Sequence, residues 1–349
     1  MKLPGFNMTP EIERLALRVV GTIEIMEKAF EVEPLLHLRK ANRIRSIHSS
    51  VAIEANTLSL SEVTDIIDGK RIAGNPREIL EVKNAWKAYE GIGEYTPYSM
   101  DDFLLAHRRM SSDLVREAGC FRSVEVGVYK GFELIHEGAK PAEIKELMEK
   151  AFEWGVKSNL HPLIKSCVLH FLIEFIHPFE DGNGRMGRLW QTVILADWDP
   201  ILQWVPVETL VYRNQQGYYY AIRSAEQNDD AALFVRFMLE IVDFTLNAMI
   251  ESRLEGNEPV NEPVNEPVNE PVNEPVNDIT YRIYEELSLN GDLSYEELAA
   301  ILLVSRSTIM RNIRILKMRG LIWRSGSDKA GRWEVLPGFE GDGKQDGDG

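Results

Sequence analysis

The chain has 349 residues, 44% of them hydrophobic, enough for one large core and a second, smaller one. Its formal net charge of −16 argues against a general nucleic-acid binder, although a local basic patch is compatible with it. No apolar run is long enough to cross a bilayer, no signal-peptide layout opens the chain, and two distant cysteines, Cys120 and Cys167, lack zinc spacing, so a cytoplasmic protein with reduced thiols and no membrane partner is expected.

The first 256 residues read as mainly helical. Glu11 to Phe30 places Leu15, Leu17, Val20, Ile23 and Ile25 at helical spacing, and Ala41 to Ala55 forms a second such segment. Ser59 and Glu62 have the spacing of a capping box and open a third helix. Glu78 to Tyr89, Met100 to Arg116, Pro141 to Val156 and Pro162 to Ile176 continue the pattern. Between them, Phe121 to His136 alternates Val124, Val126 and Val128 with polar or small residues, and Gly127 and Gly131 punctuate it, as in a β-hairpin. Met186 to Ala196 is a further helix, and Asp230 to Leu254 a long amphipathic one.

Residues 257–276 are five copies of Asn-Glu-Pro-Val. A proline every fourth residue forbids a stable helix and the acids keep the segment solvated, so an extended, semi-rigid linker is expected over 257–277. Beyond it, residues 278–337 read as three helices and a two-stranded wing. Ser294 and Ser305 open the second and third helices, the third carrying Arg311, Arg314, Lys317 and Arg319, and the wing runs through Gly320–Arg324 and Gly331–Val335. This pattern resembles a winged helix-turn-helix domain, for which DNA binding and protein docking are both open. The Gly- and Asp-rich tail, 338–349, is expected to be disordered.

The most informative stretch is His177-Pro178-Phe179-Glu180-Asp181-Gly182-Asn183-Gly184-Arg185-Met186-Gly187-Arg188. Pro178 cannot continue the preceding helix, so Gly182, Asn183 and Gly184 are expected in a loop feeding the next helix. Unpaired N–H groups and the positive end of the dipole favour an anion there, and glycines let the main chain approach it. An imidazole titrating near neutrality suits a general base, a carboxylate suits a hard cation, and guanidinium forks match phosphate oxygens.

In this order the residues resemble the Fic family signature, His-Pro-Phe-x-Asp/Glu-Gly-Asn-Gly-Arg-x-x-Arg, at every specified position. The resemblance implies a Fic-type helical domain over 100–256, a β-hairpin flap that holds the target segment, and an N-terminal helical region over 1–99. It implies transfer of AMP from ATP to a Ser, Thr or Tyr hydroxyl of a protein target, the chain itself included, with Mg²⁺ and release of pyrophosphate. His177 would be the base, Asp181 the metal ligand, and Gly182, Asn183, Gly184, Arg185, Gly187 and Arg188 the phosphate site. Members with lysine at the place of Gly184 act as protein kinases, and others move UMP, GMP or phosphocholine. Tyr218, Tyr219 and Glu226 resemble residues of the family's adenine pocket, and core packing explains the tyrosines equally well. Ser50 and Glu54 resemble the inhibitory helix pattern Ser/Thr-x-x-x-Glu-Gly/Asn, with Ala55 departing from it. Removal of AMP with Glu54 activating water, and a DNA-binding regulator that uses the domain as a nucleotide sensor, are the alternatives. Pairing into a homodimer is common in proteins of this layout.

Overall fold

The computed structural model describes residues 1–29, 35–130, 133–254, 278–318, 321–325 and 332–335. The expected linker and tail lie outside them. So do Phe30 at the end of the first expected helix and Gly320 and Gly331 at the start of the wing strands. No helix among the described residues is long and apolar enough to cross a membrane.

The first seven helices prepare the site. Helix α1 spans Pro10–Ala29 and buries Ile12, Leu15, Val19, Ile23 and Met26, one face at helical period. Leu17 and Ile25, expected on that face, are instead 67% and 57% exposed. Helix α2 runs Leu35–Ile53, starting earlier than expected and ending before Glu54. Helix α3, Leu60–Ile67, is opened by the expected capping box of Ser59 and Glu62. Helix α4 follows Asn75, whose side chain caps it, and covers Pro76–Glu90 with proline in the first turn. Helix α5 is shorter than expected, Met100–Ser111, because Ser112 leaves the helical conformation and turns follow it. The hairpin pairs β1, Gly127–Lys130, with β2, Glu133–Glu137, antiparallel, with an irregularity after Val128. Helix α6 spans Pro141–Lys157, and α7 spans Pro162–Ile176. Leucine, isoleucine, valine and phenylalanine bury most faces of α7, as a central helix requires.

Helix α8, Asn183–Trp198, packs along α7 and carries the second half of the motif. A 3-10 turn, Pro200–Trp204, leads to α9, Val207–Arg213, and α10, Gln215–Gln227. Helix α11, Ala232–Leu254, lies against α1 and α7.

A second compact unit contains α12, Asp278–Leu289, α13, Tyr295–Leu302, α14, Arg306–Met318, and the antiparallel pair β3, Ile322–Ser325, and β4, Arg332–Val335. Ile283, Leu287, Leu298, Ile309, Ile313, Leu316, Ile322 and Trp333 form its core. Trp333 satisfies its indole N–H on the Leu293 carbonyl at 3.0 Å. Three helices and a two-stranded wing are thus present in the expected order. The side chains of Arg311, Arg314, Lys317 and Arg319 lie outside the described set.

Candidate active site

The site begins where α7 stops. His177 caps that helix with φ 54° and ψ 60°, a left-handed conformation that a β-carbon disfavours. Pro178 excludes a further right-handed helical turn at His177 but by itself favours an extended residue there, so the left-handed bend is held by its surroundings. Arg122 fixes the bend. Its Nε donates to the His177 carbonyl at 2.8 Å, its Nη1 to the Val124 carbonyl at 2.6 Å, and its Nη2 to the Ala139 carbonyl. One buried guanidinium therefore joins the loop after α7 to both approaches of the hairpin. Its backbone N–H also bonds the Pro178 carbonyl at 3.0 Å.

Phe179 is fully buried and lies flat on His107, ring centroids 3.6 Å apart and planes 12° from parallel. His107 Nδ1 accepts from the Gly119 N–H at 3.0 Å, so its proton sits on Nε2 and is donated to the Asp181 carbonyl at 3.1 Å. Burial keeps this ring neutral, pushing its pKa down from 6.5 to about 4.

Helix α8 starts three residues before its expected first turn. Gly182, at φ 84°, is its N-cap, and Asn183 and Gly184 already belong to the helix rather than to a loop. Asn183 spends its side chain on the loop: Oδ1 accepts from the Phe179 N–H at 2.8 Å and Nδ2 donates to the Phe179 carbonyl at 2.9 Å. What Asn183 can offer an anion is thus its backbone N–H, along with those of its neighbours. Gly187 lets α8 approach α7, since a β-carbon there would strike the His170 ring.

Three charged groups line this end of α8. Asp181 Oδ1 accepts from the Gly182 N–H at 2.6 Å and faces Arg185 Nη2 at 3.2 Å. Arg185 is 3% exposed, and its Nε and Nη1 find no hydrogen-bond partner among the described residues. Arg188 is equally buried and is held from α2: Nε donates to Ser50 Oγ at 3.1 Å, and Nη2 to the Ser50 carbonyl at 3.0 Å and to Glu54 Oε1 at 2.8 Å.

Glu54 stands beside Gly184 as well, where an added β-carbon would collide with its Oε1. It is not on a helix, as expected, but in the turn that ends α2. Ala55 follows with φ 66°, the conformation for which glycine is the common residue. The departure from the inhibitory pattern therefore adds strain at the helix exit without moving the acid from Arg188.

Spacing alone gave no signal for several residues around the site. The Glu174 side chain is 12% exposed on α7 and faces Gly184 and Gly187 of α8. Burial works to raise its carboxyl. The His170 ring, with the charges of Arg188 and His177, outweighs that and holds it at about 2. Arg77, at the start of α4, reaches Asp181 Oδ2 at 3.3 Å. Deeper, Glu208 accepts from Tyr89 at 2.9 Å and from Ser46 at 2.7 Å, tying α2, α4 and α9 together behind Arg188.

The adenine-pocket candidates lie on α10. Tyr218 is buried, Tyr219 is 42% exposed, and their rings sit 5.5 Å apart. Glu226, eight positions after Tyr218, is half-buried near the other end of the helix. Tyr218 and Tyr219 fall in the stretch Arg213–Tyr220, which groups with the second compact unit, and Glu226 in the first.

The architecture, a helical body with one hairpin beside a His-capped helix and an arginine-bearing helix start, defines a Fic-type domain. The model of the Fic/DOC family matches residues 97–195, and a model described as winged helix-turn-helix DNA-binding matches residues 276–322. A solved Fic family protein from Desulfovibrio desulfuricans G20 is 34% identical, with TM-score 0.68, covering 97% of this chain and 100% of that one. The chain belongs to the Fic family. Among curated relatives, a protein adenylyltransferase Fic from Nematostella vectensis is 27% identical over 262 residues, 70% of this chain and 58% of that protein. One from Drosophila willistoni is 30% identical over 226 residues, 60% and 43% respectively. The chain thus spans about half the length of the curated relatives it matches.

Proposed function

We propose that the chain transfers AMP from ATP to a Ser, Thr or Tyr hydroxyl of a protein, itself included, and that Glu54 restrains this transfer. The observation that carries the reading is Arg185, a buried guanidinium with two nitrogens unsatisfied among the described residues, at a helix start whose first N–H groups lack intrahelical acceptors. A buried cation left in that condition is costly, and phosphate oxygens supply what it lacks. Gly184 keeps the approach clear of a side chain. The names of the curated relatives support the same chemistry.

In this reading His177, held at the bend by Arg122, accepts the hydroxyl proton as the oxygen attacks the α-phosphorus. The bond from the α-phosphorus to the bridging oxygen of the β-phosphate breaks, and pyrophosphate leaves. Arg185 and the α8 N–H groups hold phosphate oxygens. Arg188 takes the γ-phosphate once Glu54 has left it. Magnesium supplies neutralisation of the phosphate charge. The donor set fits that ion only with the nucleotide's help. Among the described residues no three His, Cys, Asp or Glu side chains group as a metal site, and Asp181 offers a single carboxylate. Magnesium is commonly held in that way, by one or two carboxylates, phosphates and water.

The winged-helix unit supports DNA as a further partner; binding that falls steeply with salt would be its mark. The enzymatic reading is tested by incubating the protein with α-labelled ATP and Mg²⁺, alone and with cell lysate, and locating the adduct by mass spectrometry. Label on a hydroxyl side chain supports it. Label from γ-labelled but not α-labelled ATP overturns it in favour of phosphate transfer.

A further inference from the structure

Asp181 presents its two oxygens to different partners. Oδ1 is taken from within the motif, by the Gly182 N–H at 2.6 Å and Arg185 at 3.2 Å. Oδ2 faces Arg77 Nη2 at 3.3 Å, from a helix 104 residues earlier. A divalent ion arriving at Asp181 would use Oδ2, and Arg77 is the cation that faces that oxygen.

Within α4 this cation has one partner, at its Nε. Arg77 sits in the first turn, where the helix dipole disfavours positive charge, and Asn75 already caps the end. Its local partner, Glu81, is 3.6 Å away at Nε, leaving Nη2 to reach across to the motif. Glu81 in turn accepts from Asn56 at 2.9 Å, two residues after Glu54. The same N-terminal region therefore sets an anion on Arg188 and a cation on Asp181.

We propose that Arg77 is a built-in counter-cation for Asp181 that a divalent ion must displace, so that the N-terminal region restrains metal loading as well as γ-phosphate placement. This rests on the reading of Asp181 as the metal ligand. The Arg77 side chain is 57% exposed and that of Asp181 40%, so the pair is a weak, salt-screened one. A weak pair suits a restraint that substrate can overcome.

The test is Mn²⁺ affinity, followed by the electron paramagnetic resonance signal of the free ion, with α,β-methylene ATP present so that no transfer occurs. Arg77→Ala and Arg77→Gln are expected to tighten Mn²⁺ binding about two- to fivefold at low salt. The gain should shrink in 0.5 M salt, roughly, as the screening length falls. Arg77→Lys, which keeps the charge, should stay near the wild type. Unchanged Mn²⁺ affinity in Arg77→Ala overturns the proposal. So does weaker binding of the nucleotide, which would make Arg77 a phosphate ligand. Asp181→Asn is the control: if it binds Mn²⁺ like the wild type, the metal reading itself fails. If it binds poorly while Arg77→Ala changes nothing, only the counter-cation idea falls.

Discussion

Glu54 Oε1 and Arg188 Nη2, 134 residues apart in the chain, meet at 2.8 Å. Arg188 is buried, so its charge needs anions beside it, and Glu54 is the one a nucleotide phosphate would replace in the proposed reaction. Glu54→Gly is expected to raise self-labelling by about 10²-fold, because a small misplacement of the reacting phosphate costs that much. Affinity for ATP should change far less, since Arg185 and the helix N–H groups remain. Initial labelling rates and calorimetry on one preparation check both. A rate equal to wild type would remove Glu54 as a restraint. If the same variant also fails to strip AMP from a labelled target, the water-activating alternative gains.

His177→Ala should lower transfer by about 10²–10⁴-fold while nucleotide still binds, because the residue precedes α8 and is not one of its first N–H donors. Its backbone conformation is held by the Arg122 bond, which the substitution keeps. Nucleotide titration beside the labelling assay separates the two effects. Full labelling by the variant would exclude His177 as base.

His107 gives a pH signature. Its folded pKa, about 4, lies below its ordinary 6.5, so the unfolded chain binds more protons between these values. The stability due to the neutral ring is complete above about pH 6.5 and is lost as pH falls towards 4, amounting to about 3 kcal/mol at most. Melting curves across that window should fall for the wild type and be flatter for His107→Gln. Parallel curves would mean the ring is not the titrating group. Glu174 acts lower: held at about 2, it stabilises above its ordinary 4.5 and loses that contribution only in stronger acid.

Arg122→Met should cost about 3 kcal/mol or more, because three carbonyls lose their donor. Lysine should restore only part of it, since one ammonium cannot reproduce the planar fork. Target labelling should fall more than ATP affinity, as the hairpin base and His177 lose their common anchor. Urea midpoints and the two assays together decide; equal losses in both would make Arg122 merely structural.

The motif was legible because its parts are local. Pro178 stops a helix by its ring, and Ser59 with Glu62 caps one by a three-residue reach, so both appear where expected. The early start of α8 was hidden because Asn183 and Gly184 are poor helix formers, overruled here by the Asn183 bracket on Phe179. Leu17 and Ile25 could not be told from Val19 and Met26 by hydrophobicity alone, and only packing against α11 chose the face. Arg122, His107 and Arg77 act on partners 55, 74 and 104 residues away, and no local rule reaches that far.

The Asn183 bracket bears on how the protein ages. An asparagine followed by glycine is the dipeptide most prone to lose ammonia, through attack of the following backbone nitrogen on the side-chain amide. In the folded chain Asn183 is buried and its amide is tied to both backbone groups of Phe179, so it is not free to turn towards Gly184. Only unfolded molecules run the reaction at full speed. Each one converted carries a carboxylate where a donor faced the Phe179 carbonyl, which sets acceptor against acceptor and weakens the loop. The fold of this loop thereby shields its own most labile side chain.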